Sequence, residues 1–170
     1  MLFFVIITIM EPKIDDKDRA ILGLLQRNCR MTAKDIAHAI DSPVTTVFAK
    51  IKRMEAAGII KNYKAVLDAK KLDKGTIAFI LGSVSYRLKQ GAPLSQRKIA
   101  QEIAKFPEVQ EVHIITGGWD ILIKVKEKDV NEIGRFVIDK LRMIAGIEKT
   151  LTCMVFETQK ETTDIPLEQY

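Results

Sequence analysis

Cysteine and histidine are scarce in this chain, and their scarcity excludes several kinds of chemistry. The 170 residues include two cysteines, Cys29 and Cys153, and two histidines, His38 and His113. The two cysteines lie far apart and the two histidines lie in unrelated segments, without the clustered Cys/His spacing that a metal site shows. We therefore expect free thiols in a reducing compartment, no metal, no cofactor and no catalytic cluster built on histidine.

Long hydrophobic runs are also missing, with one exception at the start. The run MLFFVIITIM covers ten residues, whereas a membrane-spanning helix needs roughly 20 and a signal peptide begins with basic residues. We therefore expect no membrane partner. An exposed β-prone segment is an aggregation hazard. We therefore interpret residues 1–13 as an N-terminal extension with a mis-assigned start, and we expect translation to begin at Met10. The alternative is an arm that packs on a partner chain.

An excess of positive charge is present, but in one part of the chain only. The net charge is +5, and residues 1–75 hold 14 Lys and Arg against 9 Asp and Glu, whereas residues 76–170 hold 13 of each. Since phosphates attract basic surfaces, only the first part is expected to meet nucleic acid. The simplest organisation is two parts with different roles.

Three short helices are predicted in the basic part. Each begins at a residue that can cap a helix and continues with apolar residues at helical spacing. The first ends near Asn28, and Gly58 ends the third. The expected caps are, in order, Asp15 or Asp16, Thr32 with Asp35 in a capping box, and Ser42 with Pro43 in the first turn.

The second and third of these helices have the spacing of a helix-turn-helix. Two helices that cross steeply need a small residue in the first helix, a turn residue that tolerates positive φ, and an apolar residue in the second. Ala37, Asp41 and Val47 fill these places. This arrangement is how many proteins place a helix in the major groove of DNA.

The residues predicted to contact DNA lie on the outer face of the third helix and just after it. Short polar side chains near a helix start can touch base edges or phosphates, although helix-start chemistry explains either threonine alone. The segment IIKNYKAVLD alternates like a short strand pair, the wing of a winged helix. The predicted contacts are Thr45, Thr46, Lys50, Arg53, Lys61 and Lys64.

The rest of the sequence predicts a domain of another class. A charged stretch at 69–75 is expected to be a hinge, residues 76–160 have the order β-α-β-β-α-β, and 161–170 form a tail. This order is typical of a ferredoxin-like sandwich, in which a four-stranded antiparallel sheet carries both helices on one side. The predicted fold class is therefore α+β: an N-terminal winged helix-turn-helix at 14–68 followed by a ferredoxin-like domain.

The sheet face without helices is predicted to mediate dimerisation. Strict alternation in the last strand assigns its residues to two sides: Ile147, Lys149, Leu151, Cys153 and Val155 on one, and Thr150, Thr152, Met154 and Phe156 on the other. Both sides contain large apolar residues, so neither is built simply for water. An uncovered apolar face is typical of a surface that meets another copy of the chain.

Five stretches of the sequence are specific enough to indicate a family. They are IDDKDRAILGLLQ, the helix-turn-helix, AAGIIKNYKAVLD, TGGWDILIKV and GIEKTLT. Together they resemble the Lrp/AsnC family of prokaryotic transcription regulators. The resemblance implies a winged helix-turn-helix, a ferredoxin-like domain that dimerises and often builds octamers, and an effector that is usually an amino acid.

The resemblance also implies an effector site at the T-G-x-x-D turn and the threonine-rich last strand. Glycine amides can approach a carboxylate closely, a threonine hydroxyl can donate or accept, and Asp120 can accept from an ammonium group. The alternative is that the glycines and Asp120 only shape a hairpin. The residues implied are Thr116, Gly117, Gly118, Trp119, Asp120, Thr150 and Thr152.

The expected function is that of a cytoplasmic transcriptional regulator, not an enzyme. It would bind an operator in double-stranded DNA as a homo-oligomer, with an amino-acid effector that modulates assembly or DNA affinity. The alternative is a tetrapyrrole decarboxylase of the same two-domain layout. That enzyme would need histidines and arginines around a pocket, but His38 and His113 lie in unrelated segments and residues 76–170 carry no excess cation.

Overall fold

The chain forms two compact units. The structure, a computed structural model, describes residues 13–85 and 94–167. One unit contains residues 13–66 and 162–167, and the other contains residues 67–161. The chain therefore passes from one unit to the other twice. Apart from Lys13, the predicted extension at 1–13 lies outside the described residues. No helix within the described ranges is long and apolar enough to cross a membrane.

The first unit is built from three helices, α1 (Asp16–Arg27), α2 (Ala33–Ala39) and α3 (Val44–Ala56). Asp15 caps α1 and Thr32 caps α2, and each forms a reciprocal capping box with the third residue of its helix. The predicted left-handed turn residue is confirmed, since Asp41 has a φ of 46°. The unit's core contains Ile21, Leu25, Ile36, Ala37, Val47 and Met54.

The start of α3 differs from the predicted one by a single residue. Pro43, with an extended ψ of 138°, is the residue before the helix, and no side chain caps this end. Ser42 is not the cap, because its backbone N–H donates to the Ala37 carbonyl at 3.0 Å and its hydroxyl accepts from Lys17 Nζ at 3.3 Å. Both bonds belong to the turn that the left-handed Asp41 creates.

The strand pair predicted at 59–68 does not form. Within the part of the chain that the structure describes, this segment contains no strand. The N–H groups of Ile59 and Ile60 both donate to the Met54 carbonyl, which ties the segment back to the end of α3. Both isoleucine side chains pack against the helical core. Further along the segment Val66 and Leu67 are exposed, so only its first two residues join the core of the helical unit.

The second unit has the predicted β-α-β-β-α-β order. Its four strands form one antiparallel sheet in the order β2-β3-β1-β4. A π turn (136–140) and a 3-10 turn (141–143) continue α5. The elements are β1 (Thr76–Val84), α4 (Gln96–Ile103), β2 (Val109–Ile114), β3 (Ile121–Glu127), α5 (Val130–Arg135) and β4 (Ile147–Met154).

Both helices cover the same face of this sheet. Residues from α4 and α5 share one buried cluster with alternate residues of β1 and β3, which are Ala78, Ile80, Val84, Ile121, Ile123 and Val125. The residues between them face the other way, as the period of two in a strand requires. We call that other side the open face.

A bulge changes the sides assigned to β4. Thr152 pairs with the buried Ile80, and Leu151 with Leu81, so the threonine lies on the helix-covered side and the leucine on the open face. The register shifts between Ser83 and Val84, which pairs Ile147 with Val84 on the covered side. The prediction that Ile147 shares a side with Leu151 is therefore wrong, because one extra residue reverses the alternation.

The stretch at 69–75 is structured within the second unit. Lys70–Leu72 form a 3-10 turn, and Asp73 follows with a φ of 54°. Lys74 Nζ lies 2.6 Å from Oε2 of Glu127, a buried carboxylate at the end of β3. This hydrogen bond raises the pKa of Lys74. The connection is therefore anchored to the sheet.

Candidate functional site

The exposed face of α3 is rotated by about one residue around the helix from the outer face that the sequence predicts. At about 100° per residue, Thr45 and Lys52 lie at the middle of the exposed face. Thr45 is exposed, as predicted, and Thr46 is half-buried on the flank. Val47 and Met54 are fully buried on the opposite side. The start of α3 thus presents a short polar side chain to solvent, as a helix that enters a groove requires.

Lys50 does not lie on the outer face, and its predicted outward placement is wrong. Its side chain is only 16% exposed and turns toward α1. Its ammonium lies 2.5 Å from Asp15 Oδ2 and 3.1 Å from Asp18 Oδ1. A lysine held by two carboxylates has no free charge to offer a phosphate in this arrangement.

Arg53 belongs to the same group of charges. Its guanidinium lies 2.5 Å from the second oxygen of Asp18, a carboxylate that is fully buried. Asp18 Oδ2 also accepts from the backbone N–H of Asp15. The four side chains carry two positive and two negative charges and connect the start of α1 to the middle of α3. We call Asp15, Asp18, Lys50 and Arg53 the α1–α3 ion cluster.

The contacts within the cluster shift the pKa values of Asp15 and Lys50 in the directions that keep both groups charged. The Lys50 ammonium and the backbone N–H of Asp18 hydrogen-bond to Asp15 and lower the pKa of its carboxyl from 3.8 to about 2. Burial by itself would lower the pKa of Lys50, but the hydrogen bonds to Asp15 and Asp18 outweigh it and raise that pKa. Both groups therefore stay charged at neutral pH.

Lys61 and Lys64 are exposed beside the helices. Neither forms an ion pair within the described ranges, so both charges are available to phosphates. The backbone around them is held in place, because Tyr63 Oη donates to Glu55 at 2.9 Å and Cys29 Sγ donates to the Lys64 carbonyl at 3.5 Å. Burial and the Glu55 carboxylate raise the pKa of Tyr63 to about 12.

Two exposed residues of α3 are not among the predicted contacts. Phe48 is 55% exposed, and the Lys52 ammonium lies 5.8 Å from the centroid of its ring. Lys52 also pairs with Glu55 at 2.8 Å, a solvent-exposed i,i+3 pair. The signal was present in the sequence, because Lys52 follows Thr45 by seven residues and so shares its face.

Asp120 is bound to the neighbouring strand. Its carboxylate accepts from the backbone N–H of Val84 at 2.8 Å, and its own N–H donates to the Gly82 carbonyl at 3.0 Å. Gln96 Nε2, at the start of α4, lies 3.2 Å from the Asp120 carbonyl and 3.4 Å from Oδ1. This aspartate therefore holds the bulged end of β1, whatever else it binds.

The other predicted effector residues are placed around the same end of β1. The turn is closed by the Ile115 N–H, which donates to the Asp120 carbonyl at 2.9 Å. Gly117 has a φ of 114°, which side-chain-bearing residues rarely adopt. Thr116 and Gly118 are exposed and Trp119 is half-buried. Because Thr150 pairs with Gly82, β1 alone separates it from Asp120.

Thr152 lies two residues beyond Thr150, on the same covered side of β4. Both threonines are half-buried. The structure thus brings the turn and the last strand to one end of the sheet. No group of three or more His, Cys, Asp or Glu in the described ranges could hold a metal ion. The chemistry available here is hydrogen bonding to a small polar molecule.

Two family models match the chain, and each covers most of one unit. Residues 14–61 match the model described as a winged helix-turn-helix DNA-binding domain. Residues 83–165 match the model described as the Lrp/AsnC ligand binding domain. The first range contains the three helices, and the second contains most of the sheet and both helices that cover it.

Related proteins and solved structures agree with these matches. An HTH-type transcriptional regulator of Pyrococcus abyssi is 43% identical over 89% of this chain and 99% of its own length. The HTH-type transcriptional regulator FL11 of Pyrococcus horikoshii is 30% identical over 93% of this chain and 99% of its own. The structure of a Neisseria meningitidis transcriptional regulator in complex with L-Met superposes with a TM-score of 0.83, at 29% identity, over 91% and 97% of the two chains.

Proposed function

Because this chain belongs to the Lrp/AsnC family of transcriptional regulators, we propose which of its residues bind the operator and which bind the effector. The protein is a DNA-binding regulator with a ligand-binding domain. Transcriptional regulators of this type are not enzymes, and nothing in the relatives supports the tetrapyrrole-decarboxylase alternative. Its DNA-binding domain is assigned to residues 14–68 and its ligand-binding domain to residues 76–160.

The operator contacts are assigned to the exposed start of α3 and to the lysines that follow it. Thr45 and Thr46 lie where a recognition helix meets base edges. Lys61 and Lys64 supply phosphate contacts, since their charges are exposed and unpaired within the described ranges. Arg53 can add a weaker phosphate contact through the exposed part of its guanidinium while Nη2 keeps its bond to Asp18. Lys50 is assigned to positioning α3, because its ammonium is held by Asp15 and Asp18.

The observation that carries this assignment is the pairing of a left-handed Asp41 with the exposed Thr45 at the start of α3. The turn at Asp41 sets the angle between α2 and α3, and the α1–α3 ion cluster holds α3 in place. A helix held in this way can enter a major groove without a further change in shape. Base contacts specify the sequence, while the lysines contribute affinity that depends on salt.

A salt titration tests the phosphate contacts. Lys61→Gln combined with Lys64→Gln should weaken binding to operator and random duplexes alike. The slope of log affinity against log salt should become shallower by about one unit per lysine. The matched control is Lys70→Gln with Lys71→Gln, two exposed lysines of the second unit. An unchanged slope in the first variant would remove the 59–68 segment from the interface.

The effector is proposed to be an α-amino acid bound at the end of β1. Support comes from the family model for ligand binding and from the relative solved with L-Met. The amides of Gly117 and Gly118 suit the carboxylate, and the hydroxyls of Thr150 and Thr152 suit either charged group. Thr116, Trp119 and Asp120 complete the proposed site. The Asp120 carboxylate also accepts a hydrogen bond from the Val84 N–H. In this proposal Asp120 therefore both binds the ligand and holds the end of β1.

A thermal-shift screen against the twenty amino acids tests the effector. A ligand at a hundredfold excess over its dissociation constant stabilises the native state by about 2.7 kcal/mol. The shift should disappear in Thr150→Val and persist in Thr163→Val, an equivalent change at an exposed position in the other unit. Equal responses of the two variants would place the site away from β4.

The assembly is proposed to be a dimer through the open face, with octamers built from dimers. Phe79 and Leu151 are exposed on that face, and Cys153 lies beside them. An effector bound near this sheet can change assembly or DNA affinity only if it binds one arrangement better than another. We propose a cytoplasmic location, because a DNA-binding regulator acts where its operator is.

A further inference from the structure

An aromatic side chain on α3 is exposed, although the opposite face of the helix is buried in the core of its unit. Phe48 is 55% exposed, and Val44, one turn earlier on the same face, is 46% exposed. On the opposite face Val47 and Met54 are fully buried and supply the contribution of α3 to the core. Phe48 therefore adds little to the stability of the unit. An exposed apolar pair on the face that presents Thr45 is a candidate for a contact outside the chain.

The charges around Phe48 indicate which part of a duplex that contact involves. Each cation of α3 is already held by a carboxylate: Lys50 and Arg53 by the ion cluster, and Lys52 by Glu55. The surface around the ring is consequently close to neutral, with small side chains at Thr45 and Ala49. Phosphates bind unpaired cations, whereas the floor of the major groove offers one apolar group, the C5-methyl of thymine.

We propose that Phe48 recognises a thymine methyl group in each operator half-site. The inference rests on the proposed entry of α3 into the major groove. Phe48 is the fifth residue of α3, within the N-terminal part of a recognition helix that contacts base edges. Val44 extends the apolar surface on the same face, and Thr45 is placed to hydrogen-bond to a neighbouring base. Lys52 lies one turn further from the helix start, with its ammonium 5.8 Å from the ring centroid and paired with Glu55.

Selection from random-sequence duplex DNA is the first experiment. The full-length protein should enrich a two-fold symmetric sequence with a thymine at a defined position in each half-site. Phe48→Ala should lose the preference at that position only. Phe156→Ala, the same change at a fully exposed phenylalanine of the second unit, should keep the complete preference. Thermal unfolding of each variant confirms that the half-exposed Phe48 can be replaced without loss of the fold.

The second experiment removes the methyl group from the DNA instead. Replacing that thymine by uracil in one half-site should weaken binding of the unchanged protein about fourfold, which corresponds to one buried methyl group. Phe48→Ala should bind the two duplexes equally, with the salt dependence of the unchanged protein, because no phosphate contact is lost. The assignment would be overturned if Phe48→Ala still bound the uracil duplex fourfold more weakly than the thymine duplex. It would also be overturned if Phe48→Ala selected the same sequence as the unchanged protein. Failure of the unchanged protein to enrich any sequence would instead refute operator binding by α3 itself.

Discussion

At the scale of single residues, Asp18 links two helices of the first unit through buried contacts. It is a fully buried carboxylate whose two oxygens accept from Lys50, Arg53 and the backbone of Asp15. A buried charge is costly unless it is paired, so each partner is required once Asp18 is present. The same contacts set the position of α3 relative to α1. Recognition of DNA therefore depends on a residue that does not face the DNA.

Asp18→Asn should lower the free energy of unfolding by about 2 kcal/mol, because it leaves the part-buried Lys50 with one carboxylate where it had two. The measurement is urea denaturation at neutral pH. Asp16→Asn, an exposed neighbour in the same helical turn, should change it by no more than about 0.5 kcal/mol. An equal loss in both variants would attribute the effect to the helix start and not to the ion cluster.

Asp15 makes the stability of the same unit sensitive to acid. Its pKa falls from 3.8 to about 2 on folding, so its contribution is complete above about pH 4 and is lost as the pH approaches 2. The difference in unfolding free energy between the unchanged protein and Asp15→Asn should be constant from pH 7 to about pH 4 and shrink below it. A difference that is still undiminished at pH 2 would contradict the assigned shift.

At the scale of elements, the segment at 162–167 is an unexpected part of the first unit. Gln26 Nε2 on α1 donates to the Ile165 carbonyl at 3.0 Å, and the Ile165 N–H donates to Gln26 Oε1 at 2.7 Å. Leu167 lines a shallow pocket on the same side of α1 with Ala20 and Gly23. Residues 162–167 of the predicted C-terminal tail thus pack on a helix of the first unit.

Gln26→Ala should release this segment without disturbing the helices. A neutral hydrogen bond contributes about 1 kcal/mol, so hydrogen exchange at the Ile165 amide should become about fivefold faster. Exchange at the Asn28 amide, which is bonded to the Leu24 carbonyl within α1, should stay the same and serves as an internal control. Unchanged exchange at Ile165 would mean that other contacts hold the segment.

At the scale of the whole molecule, the open face determines how copies of the chain can meet. Its centre is apolar, with Phe79 and Leu151 exposed, while Lys124 is held by Glu111 and Glu161 at the side. Hydrogen bonds from Lys124 and Lys126 lower the pKa of Glu161. The lysines near the apolar centre are thereby neutralised, which favours contact with an identical face over contact with an acidic partner.

Leu151→Lys should therefore weaken self-association by at least about tenfold, because a two-fold interface would bury both new charges. Sedimentation velocity at micromolar concentrations measures the effect. The matched control is Ile138→Lys, an isoleucine that is 61% exposed on the helical layer, and its association should match that of the unchanged protein. A monomeric unchanged protein, or equal loss in both variants, would exclude the open face as the interface.

Properties that depend on neighbours along the chain were determined by the sequence alone. The capping boxes at Asp15 and Thr32, the left-handed Asp41 and the β-α-β-β-α-β order each follow from residues within a few positions of one another. Such features need only local backbone geometry and the period of apolar residues. The family could be inferred for the same reason, since short contiguous stretches of sequence carry the resemblance. The DNA-binding and ligand-binding roles follow from the family.

The tertiary structure alone decided which faces of the helices and strands, and which charged side chains, remain available to contact other molecules. Lys50 meets carboxylates 32 and 35 positions away, and Gln26 meets Ile165 across 139 positions. One bulge in the pairing of β1 with β4 moved Ile147 to the covered side. Residue spacing indicates the face of an element on which a side chain lies, but the partner of that face is set by the packing of distant elements. For this reason Thr45, Phe48 and Lys52 lie on the exposed face of α3.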